Sequence, residues 1–463
     1  MAPAPDMKAD PGAPRLVVVS NRTAVDPDAR AGGLAVAMWD SLSARGGTWV
    51  GWSGQLKDYP SERPQIVREG EVEFALLDLR KSDYDDYYLG YANEVLWPVL
   101  HNRLDLAQFA NRTYGAYRRV NRTFAEATLG RCTDEDFVWV QDYHFFPLAR
   151  DLRALGRNGK TGFFLHIPFP APEVFRAVPD APDLTDALTH YDIIGLQTVG
   201  DVKNLRRLLV EDMNAVVLDE ERVKVSDRKI VLRHCPIGMD VASFRSERRS
   251  EGARDAAERL SRFLIGRKLV LGVDRMDYSK GLPERFEAVA RMFERHPRTH
   301  GRVQFTQIAP PSRSRVDEYK RLREQIDQLC GRINGNYADL DWLPIRYLAR
   351  GYSRSELAGL YQMASVCVVT PLQDGMNLVA KEFVAAQDEA DPGVLVLSQF
   401  AGAAEQMKDA VIVNPHDTDS TAEAIHDALG MPLAERQYRW RKLYKGIREQ
   451  DIDWWRARYF QGI

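Results

Sequence analysis

Two short segments in the second half of the chain carry residue types suited to gripping phosphate and hydroxyl groups. The first is Asp374-Gly375-Met376-Asn377-Leu378, which follows an apolar run at 364–370 and Pro371 and opens an apolar-periodic stretch carrying Lys381 and Glu382. An Asp-Gly turn between a buried strand and a helix start leaves backbone N–H groups unpaired at the helix mouth, a setting that favours an anion. Asp374 before the turn and Glu382 two helical turns later can hold the neutral parts of the same ligand. The segment therefore reads as a site for a phosphorylated, hydroxyl-bearing small molecule, which points towards a sugar nucleotide. The second segment is Asp274-Arg275-Met276-Asp277-Tyr278-Ser279-Lys280-Gly281, between a strand and an amphipathic helix at 283–293. Arg275 offers a fork of donors and Lys280 a point charge, and from one strand-to-helix loop both can meet the oxygens of a single diphosphate. Alone, this loop is as readily a solvated surface. The Asp374 turn in the same half of the chain favours a site.

Such loops need strands to hold them. Residues 16–19 form a β-branched run that ends at Ser20-Asn21-Arg22 and passes through a polar loop to Gly32-Gly33-Leu34 and a helical stretch at 34–42. The pattern recurs at 137–140 before Gln141-Asp142-Tyr143-His144, at 161–165 before His166-Ile167-Pro168-Phe169-Pro170, and at 193–196. Strands alternating with helices imply parallel sheets covered on both faces. A break follows Pro236-Ile237-Gly238, and residues 245–262, dense in Arg, Glu and Ser, read as a solvated linker with its flanking helix. The pattern restarts at 269–273, 304–308, 366–370 and 394–397. The expected fold is α/β, two Rossmann-like doubly wound domains facing across a cleft. The expected divisions are a disordered arm at 1–14, a first domain at 15–240, a second at 241–440, and a C-terminal helix at 441–463 packing back on the first domain. The Trp454-Trp455 pair reads as packing for that closing helix.

The chain has 463 residues, 44% hydrophobic and 28% charged, with a formal net charge of −3. That balance recruits neither nucleic acid nor an anionic membrane, so any hold on phosphate must come from locally placed Arg and Lys. Cys132, Cys235, Cys330 and Cys367 are scattered without Cys-x-x-Cys spacing, which argues against a zinc site or a disulfide framework and fits a reducing cytoplasm. The first 14 residues lack the apolar core of a signal peptide, and no stretch approaches a membrane span. A soluble, cytoplasmic protein is expected, with small molecules as its partners; a homo-oligomer is compatible with the sequence but not specified by it.

Gly32-Gly33-Leu34, Leu96-Trp97-Pro98, Gln141 to His144, Phe164-Leu165-His166-Ile167-Pro168-Phe169-Pro170, Arg275 to Lys280 and Asp374 to Leu378 occur in that order. Together they resemble the trehalose-6-phosphate synthase family, from about Leu16 to the C-terminus. The resemblance implies the glycosyltransferase B architecture and transfer of glucose, with retention, from a nucleoside-diphosphate glucose to glucose 6-phosphate. It implies that the donor diphosphate meets Arg275 and Lys280, with the Gly32-Gly33 loop, Asp374, Met376, Asn377 and Leu378 around the donor and Glu382 on its ribose. Asp374 and His166 would hold hydroxyls of the moving glucose, and Asp142 would orient the acceptor. Arg22, Trp52, Tyr88, Trp97 and Arg313 would surround the acceptor phosphate. Read without the family, His166 also suits a satisfied core histidine and Trp97 core packing. Tyr88 lies in an acidic, exposed-looking run, and Arg313 could be simple surface. Arg275, Lys280, Asp142 and His166 are the expected catalytic set.

Asp-x-Asp triplets at Asp339, Asp417 and Asp451 mimic a metal-dependent transferase, but the Arg275/Lys280 pair already neutralises the phosphate, so no metal and no other cofactor is expected. Asp417-Thr418-Asp419-Ser420-Thr421 mimics an aspartyl-phosphate motif, yet too little chain follows for such a domain, and no fused phosphatase is expected. Two other functions share the phosphate grips: a pseudo-glycosyltransferase joining a nucleotide-linked cyclitol to an amino-cyclitol phosphate, and a non-catalytic sugar-phosphate sensor. The sugar-hydroxyl anchors favour glucosyl transfer. Resemblance places the nucleobase near Arg350-Gly351-Tyr352-Ser353, where Arg350 or Arg354 could read guanine, so GDP-glucose stands beside UDP-glucose.

Overall fold

The computed structural model describes residues 14–25, 38–39, 41–43, 46–61, 63–313 and 315–462. These form two compact units, Met1–Cys235 with Tyr459–Ile463, and Pro236–Arg458.

In the first unit a mixed sheet is built from β1 (Leu16–Arg22), β2 (Gly47–Leu56), β3 (Gln65–Glu69), β4 (Val72–Leu79), β5 (Phe137–Gln141), β6 (Thr161–Phe164), β7 (Ile193–Leu196), β8 (Val216–Val217), β9 (Arg222–Val225) and β10 (Arg228–His234). Their order is β3-β4-β2-β1-β5-β6-β7-β10-β9-β8. The centre is parallel, and continuous apolar strands fill it because both faces are covered: Leu16, Val17, Val18 and Val19 of β1 are all buried. Both edges depart from a doubly wound design. β3 pairs antiparallel with β4, and β8, β9 and β10 form an antiparallel meander. β3 and β8 have no fully buried residue, so no buried–exposed alternation marks them.

The second unit holds a wholly parallel sheet of β11 (Lys268–Val273), β12 (Val303–Ile308), β13 (Ile345–Leu348), β14 (Ala364–Val369), β15 (Val394–Ser398) and β16 (Val411–Val413), in the order β13-β12-β11-β14-β15-β16. Two parallel-sheet α/β domains are thus present. The stretch read as a solvated linker with its flanking helix is two helices, Val241–Glu247 and Glu251–Leu264. The second of these buries Ala253, Ala256, Leu260 and Leu264 on one face, a stripe that its many charged residues conceal in a composition count. The closing segment also divides differently from the expected 441–463. The helix Leu433–Glu449 stays in the second unit, where Trp440 Nε1 donates to Val384 O (3.0 Å), and only Tyr459–Ile463 joins the first. Trp455 is fully buried in the last helix, Ile452–Phe460.

No helix among the described residues is long and apolar enough to cross a membrane.

Candidate active site

In the second unit β11 and β14 are adjacent and parallel, so the loops that leave their carboxyl ends lie side by side. The β11 loop turns through Asp277, whose Oδ1 accepts from Ser279 N (3.0 Å), and enters the helix Leu282–Arg295 at Gly281. Gly281 has φ +61°, and a Cβ there would meet Thr370 O of the neighbouring loop, so glycine is what lets the two loops touch. Leu372 N donates to Ser279 O (2.8 Å) across the same seam.

The seam brings together residues that lie almost a hundred positions apart. Lys280 Nζ donates to Asp374 Oδ2 (2.5 Å), and both side chains are largely buried. Asn377 Nδ2 donates to Asp374 Oδ2 (3.1 Å) and approaches Asp274 Oδ1 (3.4 Å). Asn377 sits at φ 79° and caps the helix Leu378–Ala386 by accepting from Ala380 N (3.4 Å). The amides of Leu378 and Val379 open that helix and have no acceptor within it, which makes its mouth attractive to an anion. Arg275 is exposed on the same β11 loop. Met376 is buried, its carbonyl accepting from Ala403 N (2.8 Å). Glu382, one turn into the helix, accepts from the Tyr361 hydroxyl (3.3 Å). Burial pushes its carboxyl up to about 7, against the opposing pull of Arg354 and that hydroxyl.

Neither Asp274, which opens the β11 loop segment, nor Arg285 carries a role in the sequence reading. They form a buried ion pair (2.8 Å) beneath the seam, and Arg285 also donates to Thr370 Oγ1 (2.9 Å), Gln307 Oε1 (2.9 Å) and Lys280 O (3.3 Å). Burial raises the Asp274 carboxyl, and Arg285 and Lys280 draw it back down. A lone Arg on an amphipathic helix gives no sign of this role until the strand order is known. Arg313, expected at the acceptor phosphate, is a residue of this second unit. Its Nη1 donates to Asp277 Oδ2 (3.0 Å) and meets the Tyr319 hydroxyl (2.5 Å), so it braces the β11 loop.

In the first unit β5 and β6 are neighbours, and their loops carry Asp142 and His166. Asp142 has φ 74° and ψ 168°, a conformation nearly confined to glycine, and its Oδ1 accepts from His166 N (3.2 Å). His166 Nε2 donates to Gln141 Oε1 (3.0 Å), which leaves Nδ1 as an acceptor. Burial lowers the ring's pKa to about 3, so it is neutral at physiological pH. Gln141 stands in the same tetrapeptide as Asp142, where the sequence assigns its amide no separate role.

Arg22 ends β1 exposed, with its guanidinium 5.8 Å from the Trp52 ring on β2. From Trp52 a run of rings continues to Tyr84 (5.2 Å), Tyr88 (5.2 Å) and His144 (5.8 Å), and through Tyr143 (4.0 Å) to Trp97 (5.6 Å). Arg22, Trp52, Tyr88 and Trp97 are therefore joined along one aromatic wall. Trp97 itself is buried against Tyr143 and His101, backing the wall. Tyr84 and Tyr88 belong to a π-helical segment, Tyr84–Leu96, of 13 residues. π-Helices usually last one turn and gather at functional sites. The acidic run looked like exposed surface, but it pairs outward (Arg112 with Asp86, 3.0 Å) while the tyrosines turn in. Asn93, another residue missed, holds Tyr88 O (2.6 Å) and accepts from the Tyr143 hydroxyl (2.9 Å). Gly32 and Gly33 lie outside the described residues.

The Asp-x-Asp carboxylates have local work. Asp417 caps the helix Thr418–Gly430, Asp419 pairs with Arg291 (2.8 Å) and Arg295 (3.0 Å), and Asp341 meets Arg267 (3.1 Å). Among the described residues, metal-ligand spacing occurs at His296, Glu423 and His426, whose ligand atoms lie within 4.8 Å of one another. Arg295 already engages that Glu423 (3.0 Å).

The sequence profile of Glycosyltransferase family 20 matches residues 12–463. A trehalose-6-phosphate synthase of Klebsiella pneumoniae is 43% identical over 451 residues, covering 97% of this chain and 95% of the other. The crystal structure of a UDP-forming alpha,alpha-trehalose-phosphate synthase from Burkholderia vietnamiensis superposes with a TM-score of 0.94 at 46% identity, covering 96% of each chain. A UDP-forming counterpart from Burkholderia xenovorans, in complex with glucose-6-phosphate, gives 0.91 at 43%, covering 96% of this chain and 99% of the other. A profile spanning nearly the whole sequence, and relatives above 40% identity end to end, make this chain a member of glycosyltransferase family 20.

Proposed function

We propose that the protein transfers glucose, with retention, from UDP-glucose to glucose 6-phosphate, giving trehalose 6-phosphate. The observation that carries this reading is the seam between the β11 and β14 loops, where Lys280, Asp374 and Asn377 meet at a helix mouth, with Arg275 on the same β11 loop. A leaving diphosphate needs cations, and a departing sugar needs hydroxyl anchors. The seam offers both, and the relatives named UDP-forming synthases support the same pairing of substrates.

In this scheme the second unit holds the donor. Arg275, Lys280 and the amides at Asn377 and Leu378 take the diphosphate, Asp374 a glucose hydroxyl, and Glu382 the ribose. The first unit supplies the acceptor groups, with Asp142 orienting the acceptor sugar, neutral His166 on a glucose hydroxyl, and Arg22 with Tyr88 at the phosphate. The acceptor hydroxyl attacks from the face the diphosphate leaves, and the leaving phosphate takes its proton. No covalent intermediate on the protein is needed, and rate comes from positioning and from offsetting charge on the leaving group. Arg313 contributes through Asp277, by fixing the loop that carries Arg275 and Lys280.

Uracil suits the base site better than guanine does. Arg350 donates from Nε to the Tyr352 hydroxyl (3.0 Å) and lies 4.7 Å over its ring, while Arg354 lies 5.2 Å over Phe244. The relatives named UDP-forming support uracil as the base. A cavity of about 110 Å³ beside Arg350 and Tyr352 offers the space. Initial rates with UDP-, GDP- and ADP-glucose against glucose 6-phosphate test the proposal. UDP-glucose should be the preferred donor, and no turnover with any of the three overturns the assignment. Because cations of the chain neutralise the diphosphate, activity should survive EDTA. Loss on chelation with recovery on adding magnesium or manganese would reverse that part.

A further inference from the structure

A basic pocket lies in the second unit, between residues 241–249 before β11 and residues 444–451 near the end of the chain. An open cavity of about 590 Å³ is lined by Val241, Arg245 and Arg249 near the helix Val241–Glu247, and by Tyr444, Arg448 and Asp451 near the end of the helix Leu433–Glu449. It shares no lining residue with the β11 and β14 loops.

Its charge is unbalanced. Among the described residues no carboxylate pairs with Arg245, Arg249 or Arg448, although neighbouring arginines are paired: Arg248 with Asp388 (3.2 Å) and Arg441 with Glu389 (2.9 Å). The one acid in the lining, Asp451, turns its Oδ1 to the amides of Asp453 (3.1 Å) and Trp454 (3.0 Å), capping the last helix. Within the lining, three guanidinium groups face one carboxylate already engaged by backbone donors; outside it Asp388, which pairs with Arg248, lies near enough for its charge to act on Arg245.

Arg249 and Arg448 are exposed, and water alone could satisfy them. Arg245 is different. Its Nη1 is buried without a hydrogen-bond acceptor among the described residues. Its guanidinium lies 4.8 Å over the Tyr444 ring and 5.8 Å over Trp440, and Arg448 lies 5.8 Å from Tyr444. Tyr444 and Trp440 stack at 4.8 Å, and Trp440 is anchored through Val384 O, so the aromatic floor is rigid. Cation–π contact holds a guanidinium in place but leaves its in-plane N–H groups seeking acceptors. A tetrahedral oxyanion with several acceptor oxygens answers that need, and arginine forks grip such a group bidentately.

We propose that this cavity binds a small organic phosphate monoester, its phosphate held by Arg245 and Arg448 and its carbon body lying against Tyr444. Inorganic phosphate is the probe. It is titrated calorimetrically into the full chain with UDP present at saturation. Glucose 6-phosphate, itself a phosphate monoester, is left out, and phosphate bound at the proposed acceptor position is set apart by its loss in Arg22→Ala. Separate titrations of those two ligands show whether the active-site reading itself stands. The expected result is one further phosphate per chain, weakened at least about tenfold in Arg245→Gln and in Arg448→Gln. Arg275→Ala should leave this phosphate in place, and turnover of Arg245→Gln without added phosphate should match the wild type, showing that the variant folds. Arg245→Lys, which keeps the charge and loses the fork, should bind with intermediate strength. Absence of a further phosphate, or binding indifferent to both Arg245 and Arg448, overturns the proposal.

Discussion

In the proposed reaction single residues act by being held, not by being reactive. Lys280 is already paired with Asp374, so at the proposed donor site the ammonium is fixed in place. Replacing Arg275 or Lys280 by Ala should cost about 3 kcal/mol of transition-state stabilisation, roughly a hundredfold in kcat at saturating donor. Near-normal turnover in either variant would remove it from the catalytic set. Glu382 makes a pH-dependent case. Its carboxyl lies at about 7 in the folded protein against an ordinary 4.5, so the folded chain keeps a proton that the unfolded chain releases between those values. Its contribution to stability is therefore most favourable below pH 4.5 and is eroded as pH rises to 7, by an amount approaching about 3 kcal/mol. Glu382→Gln should melt higher than the wild type at pH 8 and alike near pH 4.5. A Tm difference that ignores pH would show that the carboxyl is well solvated.

At the scale of elements, the π-helical segment is the least expected feature. It directs Tyr84 and Tyr88 to one wall, and Tyr87, whose hydroxyl donates to Asn21 Oδ1 (2.8 Å), ties the segment to the end of β1 beside Arg22. At its exit Pro98 lacks an N–H, and Gln108 N instead donates to Glu94 O (2.8 Å). Gly90 lets the segment lie close to the helix Asn111–Leu129, because a Cβ there would fall 2.7 Å from Thr113 Cγ2. Gly90→Ala should push the wall outward at an overpacking cost of about 1–3 kcal/mol and raise KM for glucose 6-phosphate more than it lowers kcat. Adding Thr113→Ser, which removes the offending methyl, should recover most of the loss. If the double variant is no better than Gly90→Ala, the contact is not what sets the wall.

For the molecule as a whole, the return of the chain to its first unit is a structural dependence. Tyr459 is fully buried there, its ring 4.8 Å from Trp139 and its hydroxyl donating to Phe163 O (3.2 Å). Gly162 and Gly195 leave the room, since a Cβ at either would strike Tyr459. Arg233 Nη1 adds bonds to Tyr459 O (2.8 Å) and Gln461 O (2.7 Å). Tyr459→Ala should destabilise the first unit by about 3–5 kcal/mol. Calorimetry should show an earlier transition assignable to that unit, with the second unit's transition little moved. A single transition shifted as one would mean that the two units unfold together.

The sequence by itself determined the local matters: parallel strands from continuous β-branched runs, an anion-favouring helix mouth at Asn377 and cations on the β11 loop. These follow from side-chain period, turn residues and unpaired amides, all of which act within a few positions of the chain. The family's ordered blocks extended that reading to both halves. Tertiary structure alone decided that Lys280 meets Asp374, that Arg285 lies beneath them on Asp274, that Arg313 braces Asp277, and that the tyrosine run faces inward. Each of these depends on which strand lies beside which, or on how one helix packs on another. Such pairings join residues tens of positions apart, and local pattern has no means of encoding them.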